Sequence, residues 1–334
     1  MIKVFQKSVS VLFVFCLFFS TQLIQAAEAL KVEFDDMFFQ SQVHVQEPSL
    51  GGIDPLLWRV GFTSRFVQWA HIKASVGASQ LLYRPYWAAP NAESVSMTDV
   101  TGTIHTYFGD IYAGQFRIPW GLQSQDETEL WLPRTLLYER GFFPLRDTGV
   151  GFHVDLDGHY MDLAVHNGEG ANLTSNQDNR VFVTGQWGLK GPAHSNLGLS
   201  ATSGRFIAIG TPYETRIRGL NAFFGFNIFG LGLQLEGSIF QTFSQIENTD
   251  SLIWHADLEH PIFENINLIG RYEQLNPNTK VVSNVMGRGY LGGEYHSKDN
   301  VSRLFLFFVK NNESIRENPN DMFLLIWRLA PAAQ

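Results

Sequence analysis

From about residue 30 onward, apolar and polar residues alternate in runs of about ten, each closed by Gly, Asn, Asp or Pro. The clearest run sets Leu231, Leu233, Leu235, Gly237 and Ile239 against Gly232, Gln234, Glu236, Ser238 and Phe240. Side chains two apart share a face of a strand, so one face here is oily and the other mostly polar. Val150, Phe152, Val154 and Leu156 alternate with Gly149, Gly151, His153 and Asp155 in the same way. Asp157-Gly158 then leads into Met161, Leu163 and Val165, alternating with Asp162, Ala164 and His166. Asp-Gly supplies the positive φ angles of a two-residue hairpin turn, so this pair predicts a tight hairpin. The pattern recurs at Tyr112 to Ile118 and at Trp254 to Leu258.

The length of the runs decides which solvent meets the oily face. Strands in soluble sandwiches average about five to six residues, whereas ~9–11 residues are needed to cross the hydrocarbon layer at a tilt. Tyr107, Tyr112, Trp120, Tyr160, Trp187, Tyr272, Tyr290, Tyr295 and Trp327 lie near run ends, where aromatic girdles are expected. Only 17% of residues are charged, against an average of about 25% in soluble domains. No long apolar run follows the N-terminus and mean hydropathy is −0.06, which excludes a helical transporter. About 16 candidate runs between Val32 and Leu329 predict an all-β fold: a transmembrane antiparallel up-and-down barrel of 14 or 16 strands. No linker or fixed-period repeat divides residues 27–334, which read as one barrel domain. The formal net charge of −8 leaves no basic footprint for nucleic acid.

Lys3 and Lys7 precede an apolar run from Val9 to Phe19, then Ser20-Thr21-Gln22 and the small residues Ala26 and Ala27. This is the order of a secretory signal, and the run is too short to span a bilayer, so residues 1–26 are expected to be removed. Cleavage after Ala29 also fits. The sole cysteine, Cys16, lies in that segment, so the exported chain carries no thiol for disulfides, thiolate catalysis or a cysteine zinc site. Losing Lys3 and Lys7 takes the net charge to about −10.

The exception to alternation is Ser124 to Leu145, a loop too hydrophobic for disorder and long enough to be functional. The residues around it carry a resemblance. Gly114-Gln115-Phe116-Arg117-Ile118-Pro119-Trp120-Gly121 is similar to a strand end of the phosphate-selective porin O and P family. Tyr138-Glu139-Arg140, Leu145-Arg146-Asp147-Thr148-Gly149-Val150 and Ala164-Val165-His166-Asn167-Gly168-Glu169-Gly170 resemble further stretches of it, in the same order. The resemblance implies a bacterial outer-membrane barrel, commonly a homotrimer, whose third external loop folds inward to narrow a pore for small hydrophilic solutes or ions. The segment 124–145 occupies that position. The chain lacks an obvious lysine cluster, so phosphate selectivity is not carried over with the fold.

Arg117, Arg134, Glu139, Arg140, Arg146 and Asp147 are the candidate constriction residues, because a narrow low-dielectric pore focuses the potential of charges along it. The competing reading makes Glu139, Arg140, Arg146 and Asp147 ion pairs that pin the loop to the wall. Net charge argues for cations and the arginines for anions; the local residues weigh more. His153, Asp155, Asp157 and His159 form one His-carboxylate row, and His255, Asp257 and Glu259 another. Neither has a recognised ligand spacing, and polar side chains lining a watery lumen account for both, so no metal or other cofactor is expected. No Gly-x-Ser-x-Gly elbow or His-Glu-x-x-His helix is present, and no enzymatic activity is expected. A second hypothesis is a plugged barrel with a structural or surface-binding role, because Phe223, Phe240, Phe305 and Phe307 share faces with polar lumen residues.

Overall fold

The computed structural model describes residues 31–46, 52–54, 56–83, 85, 94–122, 132–171, 180–191, 195–207, 214–243, 248–281, 284–299, 301–313 and 321–330. The expected signal segment 1–26 and residues 124–131 of the expected loop lie outside them. The first strands are β1 (Lys31–Gln46), β2 (Gly52–Ile53), β3 (Leu57–Val67), β4 (Ala70–Ala78), β5 (Val95–Thr106) and β6 (Gly109–Arg117). After the loop come β7 (Arg146–Leu156), β8 (His159–His166), β9 (Phe182–Lys190), β10 (Asn196–Ile207), β11 (Glu214–Ile228) and β12 (Leu231–Phe243). The circuit ends with β13 (Asn248–Phe263), β14 (Ile266–Asn276), β15 (Met286–His296), β16 (Ser302–Glu313) and β17 (Met322–Leu329).

Every long strand runs antiparallel to its sequence neighbours. The first half of β1 pairs with β3, Phe38 opposite Arg59, and its second half pairs with β17, Val43 opposite Leu325. That stagger closes the sheet and leaves no free edge, the requirement for a sheet inside a bilayer. The two-residue β2 attaches to β1 outside the ring of sixteen. No described helix is long and apolar enough to cross a membrane; the crossing elements are strands.

Alternation sorts each strand as its sequence implies. On β12, Leu235 and Ile239 are exposed on the outside, while Glu236, Ser238 and Phe240 are buried on the inside. Apolar outward positions such as Leu199, Leu220, Leu291 and Leu306 form a belt around the barrel, the face that hydrocarbon covers. The expected girdle is only partly there. Tyr107, Trp187, Tyr272, Tyr295 and Trp327 are exposed, but Trp120, Tyr160 and Tyr290 are buried in the interior. Position near a run end sets an aromatic's height in the barrel, whereas its parity in the strand sets which side it faces.

Connections differ at the two ends. Asp157-Gly158 turns β7 into β8 with φ of 42° and 93°, the left-handed pair a two-residue hairpin needs. Phe229-Gly230 does the same between β11 and β12 with φ of 52° and 80°, although Phe is a poor residue for that region. β3–β4, β5–β6 and β13–β14 are also joined by two residues at this end. The longer connections, including 118–145, lie at the other end. Short turns on the periplasmic side and longer loops outside are the rule for such barrels, which orients the molecule.

Candidate functional site

The base of the 118–145 loop is built from buried charge. Ile118 N–H donates to the Leu145 carbonyl at 3.0 Å, closing the loop's two ends. Arg146 is fully buried; its Nε lies 3.1 Å from Asp99 Oδ1 and its Nη1 donates to the Leu81 carbonyl at 2.5 Å. Arg117 is mostly buried and reaches the same carboxylate, Nη2 to Oδ2 at 3.9 Å. Asp147 is also fully buried, accepting the N–H groups of Thr148 and Gly168 and lying 2.7 Å from His166 Nδ1. A lone charge in such a site would cost several kcal/mol, on the order of the desolvation it escapes through these partners.

From that base the chain crosses the interior to the opposite wall. Gly121 N–H donates to Ser200 Oγ on β10 and Leu122 N–H to Glu236 on β12, both at 3.0 Å. Gly121 has φ of 62°, and a Cβ there would fall 1.8 Å from Glu236 Oε1, so only glycine lets the backbone reach that carboxylate. Farther on, Leu136 N–H donates to Glu273 at 2.9 Å and the Pro133 carbonyl accepts from Arg271, both residues of β14. Leu136–Glu139 is a single helical turn. Its last residue, Glu139, pairs with Arg288 of β15 at 2.7 Å, and Arg288 also holds Glu273 at 2.6 Å.

Apolar packing fixes the same path. Ile118, Trp120, Leu136, Leu137, Phe143 and Leu145 from the loop cluster with inward residues of the wall, among them Phe182, Phe240 and Ile253. Trp120 stacks on Phe240 with ring centres 5.3 Å apart. Such ring pairs contribute about 0.5–1.5 kcal/mol beyond their buried area. Leu132 packs into a second cluster with Phe305 and Phe307, and Leu122 into a third with Phe223. All four phenylalanines of the plugged-barrel hypothesis therefore face inward and grip the loop. Tyr138 donates to the Trp120 carbonyl at 3.3 Å, and burial pushes its phenol far above the usual range, so it stays protonated.

The six candidate residues thus fall into separate places. Arg146, Asp147 and, more loosely, Arg117 sit at the loop base. Arg134 is buried, its guanidinium 5.7 Å from the Tyr138 ring centre. Glu139 bridges to the far wall. Arg140, next to it, is exposed. Beneath the loop lies a cavity of about 310 Å³ on the short-turn side, lined by Arg117, Gly121, His153, Asp162 and Lys190 among others.

The two histidine rows lie within the wall's polar network. His153 Nδ1 is 2.8 Å from Asp162, and Asp155 pairs with Lys190 at 2.5 Å. His255 lies between Glu236 and Asp257 at 4.0 and 3.9 Å, while Asp257 is held bidentately by Arg271 at 2.6 and 2.5 Å. No group of three or more His, Cys, Asp or Glu side chains among the described residues could hold a metal ion. Sequence reasoning did not single out Glu236, Arg271, Glu273 and Arg288 as loop anchors. The missing signal was register: Glu236 faces His255, His255 faces Glu273 and Glu273 faces Arg288, one polar row across four strands.

No family model and no curated protein matches the sequence. Solved structures do match along nearly the whole chain. OmpT of Vibrio cholerae, in a trimer form, superposes with a TM-score of 0.67 at 12% identity, covering 90% of this chain and 99% of that one. The anion-selective porin of Comamonas acidovorans gives 0.64 at 11%, with the same coverage. The outer-membrane channel DcaP of Acinetobacter baumannii gives 0.59 at 9%, covering 91% and 98%. The chain has the fold of the outer-membrane β-barrel porins, and a barrel of this kind resides in the bacterial outer membrane.

Proposed function

We propose that the barrel is a passive channel for small hydrophilic solutes or ions, with the loop 124–145 as its constriction and small anions, phosphate among them, as the favoured cargo. The observation that carries this reading is the inward loop itself, tied to the far wall through Glu139, Arg288 and Glu273, with Arg140 an exposed residue next to the tie. Arg140 and Arg117 are the solute-contacting residues in this reading, the second because it lines the cavity under the loop. Arg134, Glu139, Arg146 and Asp147 set the loop's position. The arginines in and beside the loop, Arg117, Arg134, Arg140 and Arg146, support the anion preference over the cation preference that the net charge suggests. Assembly as a homotrimer belongs to the same reading.

The test is single-channel conductance of the exported chain in a planar bilayer, under a salt gradient and with added phosphate. The expected result is discrete steps with anion preference, block by phosphate, and weaker preference in Arg140→Ala. The packing of Phe240 on Trp120 and of Phe305 and Phe307 around Leu132 favours the second reading, a plugged barrel with a structural or surface-binding role. A folded barrel that never conducts would establish it over the first.

A further inference from the structure

Four arginines gather on the outside of the barrel, far from the lumen. Arg205 of β10 lies directly opposite Arg216 of β11, and Ser203 opposite Arg218. All four positions alternate with inward residues, so they face outward, at the long-loop end of their strands. Arg180, just before β9, completes the group around a concavity of about 330 Å³. Glu214 pairs with Arg180 at 2.6 Å and with Arg205 at 3.3 Å. Arg216 and Arg218 have no carboxylate partner among the described residues; Arg218 lies over the Phe243 ring at 5.9 Å. Like charges directly opposite on neighbouring strands destabilise a sheet. Glu214 offsets part of this repulsion, and the patch keeps an excess of positive charge on the outer face that an anion from outside would neutralise.

The surface below the patch says what kind of anion. One outward step down, Ala201 faces Leu220. From there an apolar trough of about 790 Å³ runs across β8 to β13. Its floor is made by the small residues Gly185, Ala201, Ala222 and Gly237, and its sides by larger neighbours such as Trp187 and Leu220. Outward positions two apart are separated by about 6.6–6.8 Å along a strand. A cationic cup at headgroup height thus stands within one such step of an acyl-sized groove in the lipid belt, the same order of polarity as a lipid with an anionic head.

We propose that the outward face of β9 to β12 binds a phosphate-bearing lipid of the outer leaflet, its phosphate on Arg205, Arg216 and Arg218 and an acyl chain in the trough below. Guanidinium groups suit this role because they hold phosphate oxygens with paired, charge-assisted hydrogen bonds. The site stands apart from the channel, so channel activity is independent of it.

The experiment titrates the detergent-purified full barrel with diphosphoryl lipid A in mixed micelles, with phosphatidylethanolamine as the zwitterionic control and inorganic phosphate as the free anion. Saturable binding of the phosphorylated lipid is expected, weakened about tenfold or more in Arg216→Gln/Arg218→Gln. Ala222→Trp, which fills the trough, is expected to weaken it as well, with conductance unchanged in both variants. If the double variant does not fold, Ser203→Glu, which sets a carboxylate between the arginines, takes its place. Undiminished binding in the arginine variants overturns the site. Free phosphate binding as tightly as the lipid, with Ala222→Trp silent, makes it a bare anion subsite and overturns the lipid. Dissociation of an oligomer by Ala222→Trp without loss of lipid assigns the trough to contact between copies and likewise overturns it.

Discussion

Two residues decide whether the loop can cross the barrel. Gly121 combines a left-handed φ with a Cβ position already filled by the Glu236 carboxylate. Gly121→Ala is expected to cost about 1–3 kcal/mol in backbone strain alone and to push the loop off Glu236. A lower unfolding midpoint in denaturant, together with unstable channel steps, checks it. Arg271 is the counter-ion of a buried carboxylate, with Asp257 and Arg271 each about 1% exposed. Arg271→Met strands that carboxylate and is expected to destabilise the barrel by about 3–5 kcal/mol. Adding Asp257→Asn removes the stranded charge and should restore part of the loss. A double variant no more stable than Arg271→Met would show that the pair's charge is not what matters.

At the scale of elements, the loop is an inserted layer held at three points: its base on Arg146 and Asp147, its middle on Glu236, and its far end on β14 and β15. The far tie is the weakest, because Glu139 is about a third exposed and water screens it. Glu139→Gln is therefore expected to leave the barrel's stability nearly unchanged while loosening the C-terminal end of the turn 136–139, whose start stays held by Glu273. The expected readout is larger and noisier single-channel steps at the same unfolding midpoint. An equal fall in stability would mean that Glu139 serves the fold rather than the loop's position.

For the whole molecule, the two ends of the barrel face different solvents. Tyr107, Phe108 and Phe229 protrude from the short turns, with Phe229 fully exposed. Aromatic side chains at the lipid-water boundary act as anchors. Phe229→Asp is expected to slow insertion into preformed vesicles, read as slower appearance of the heat-modifiable folded band, while the turn itself gains a residue better suited to positive φ. Insertion at the wild-type rate would place that turn in water clear of the interface.

The sequence by itself determined the barrel. Period two over runs long enough to cross a membrane assigns each strand's faces, and a closed sheet of even count is the structure that satisfies every backbone group in hydrocarbon. It also determined that 124–145 would break the pattern, and the Asp157-Gly158 turn was legible because its φ requirement is local. The anchors were not legible. Glu236, Glu273 and Arg288 are 52 residues apart at their extremes, and only strand register brings them into one row. The same holds for Trp120, Tyr160 and Tyr290, whose height in the barrel is a local property but whose burial depends on what the loop fills. Which charges meet across a lumen, or on its outer wall, is a property of closure, and closure exists only once all sixteen strands have paired.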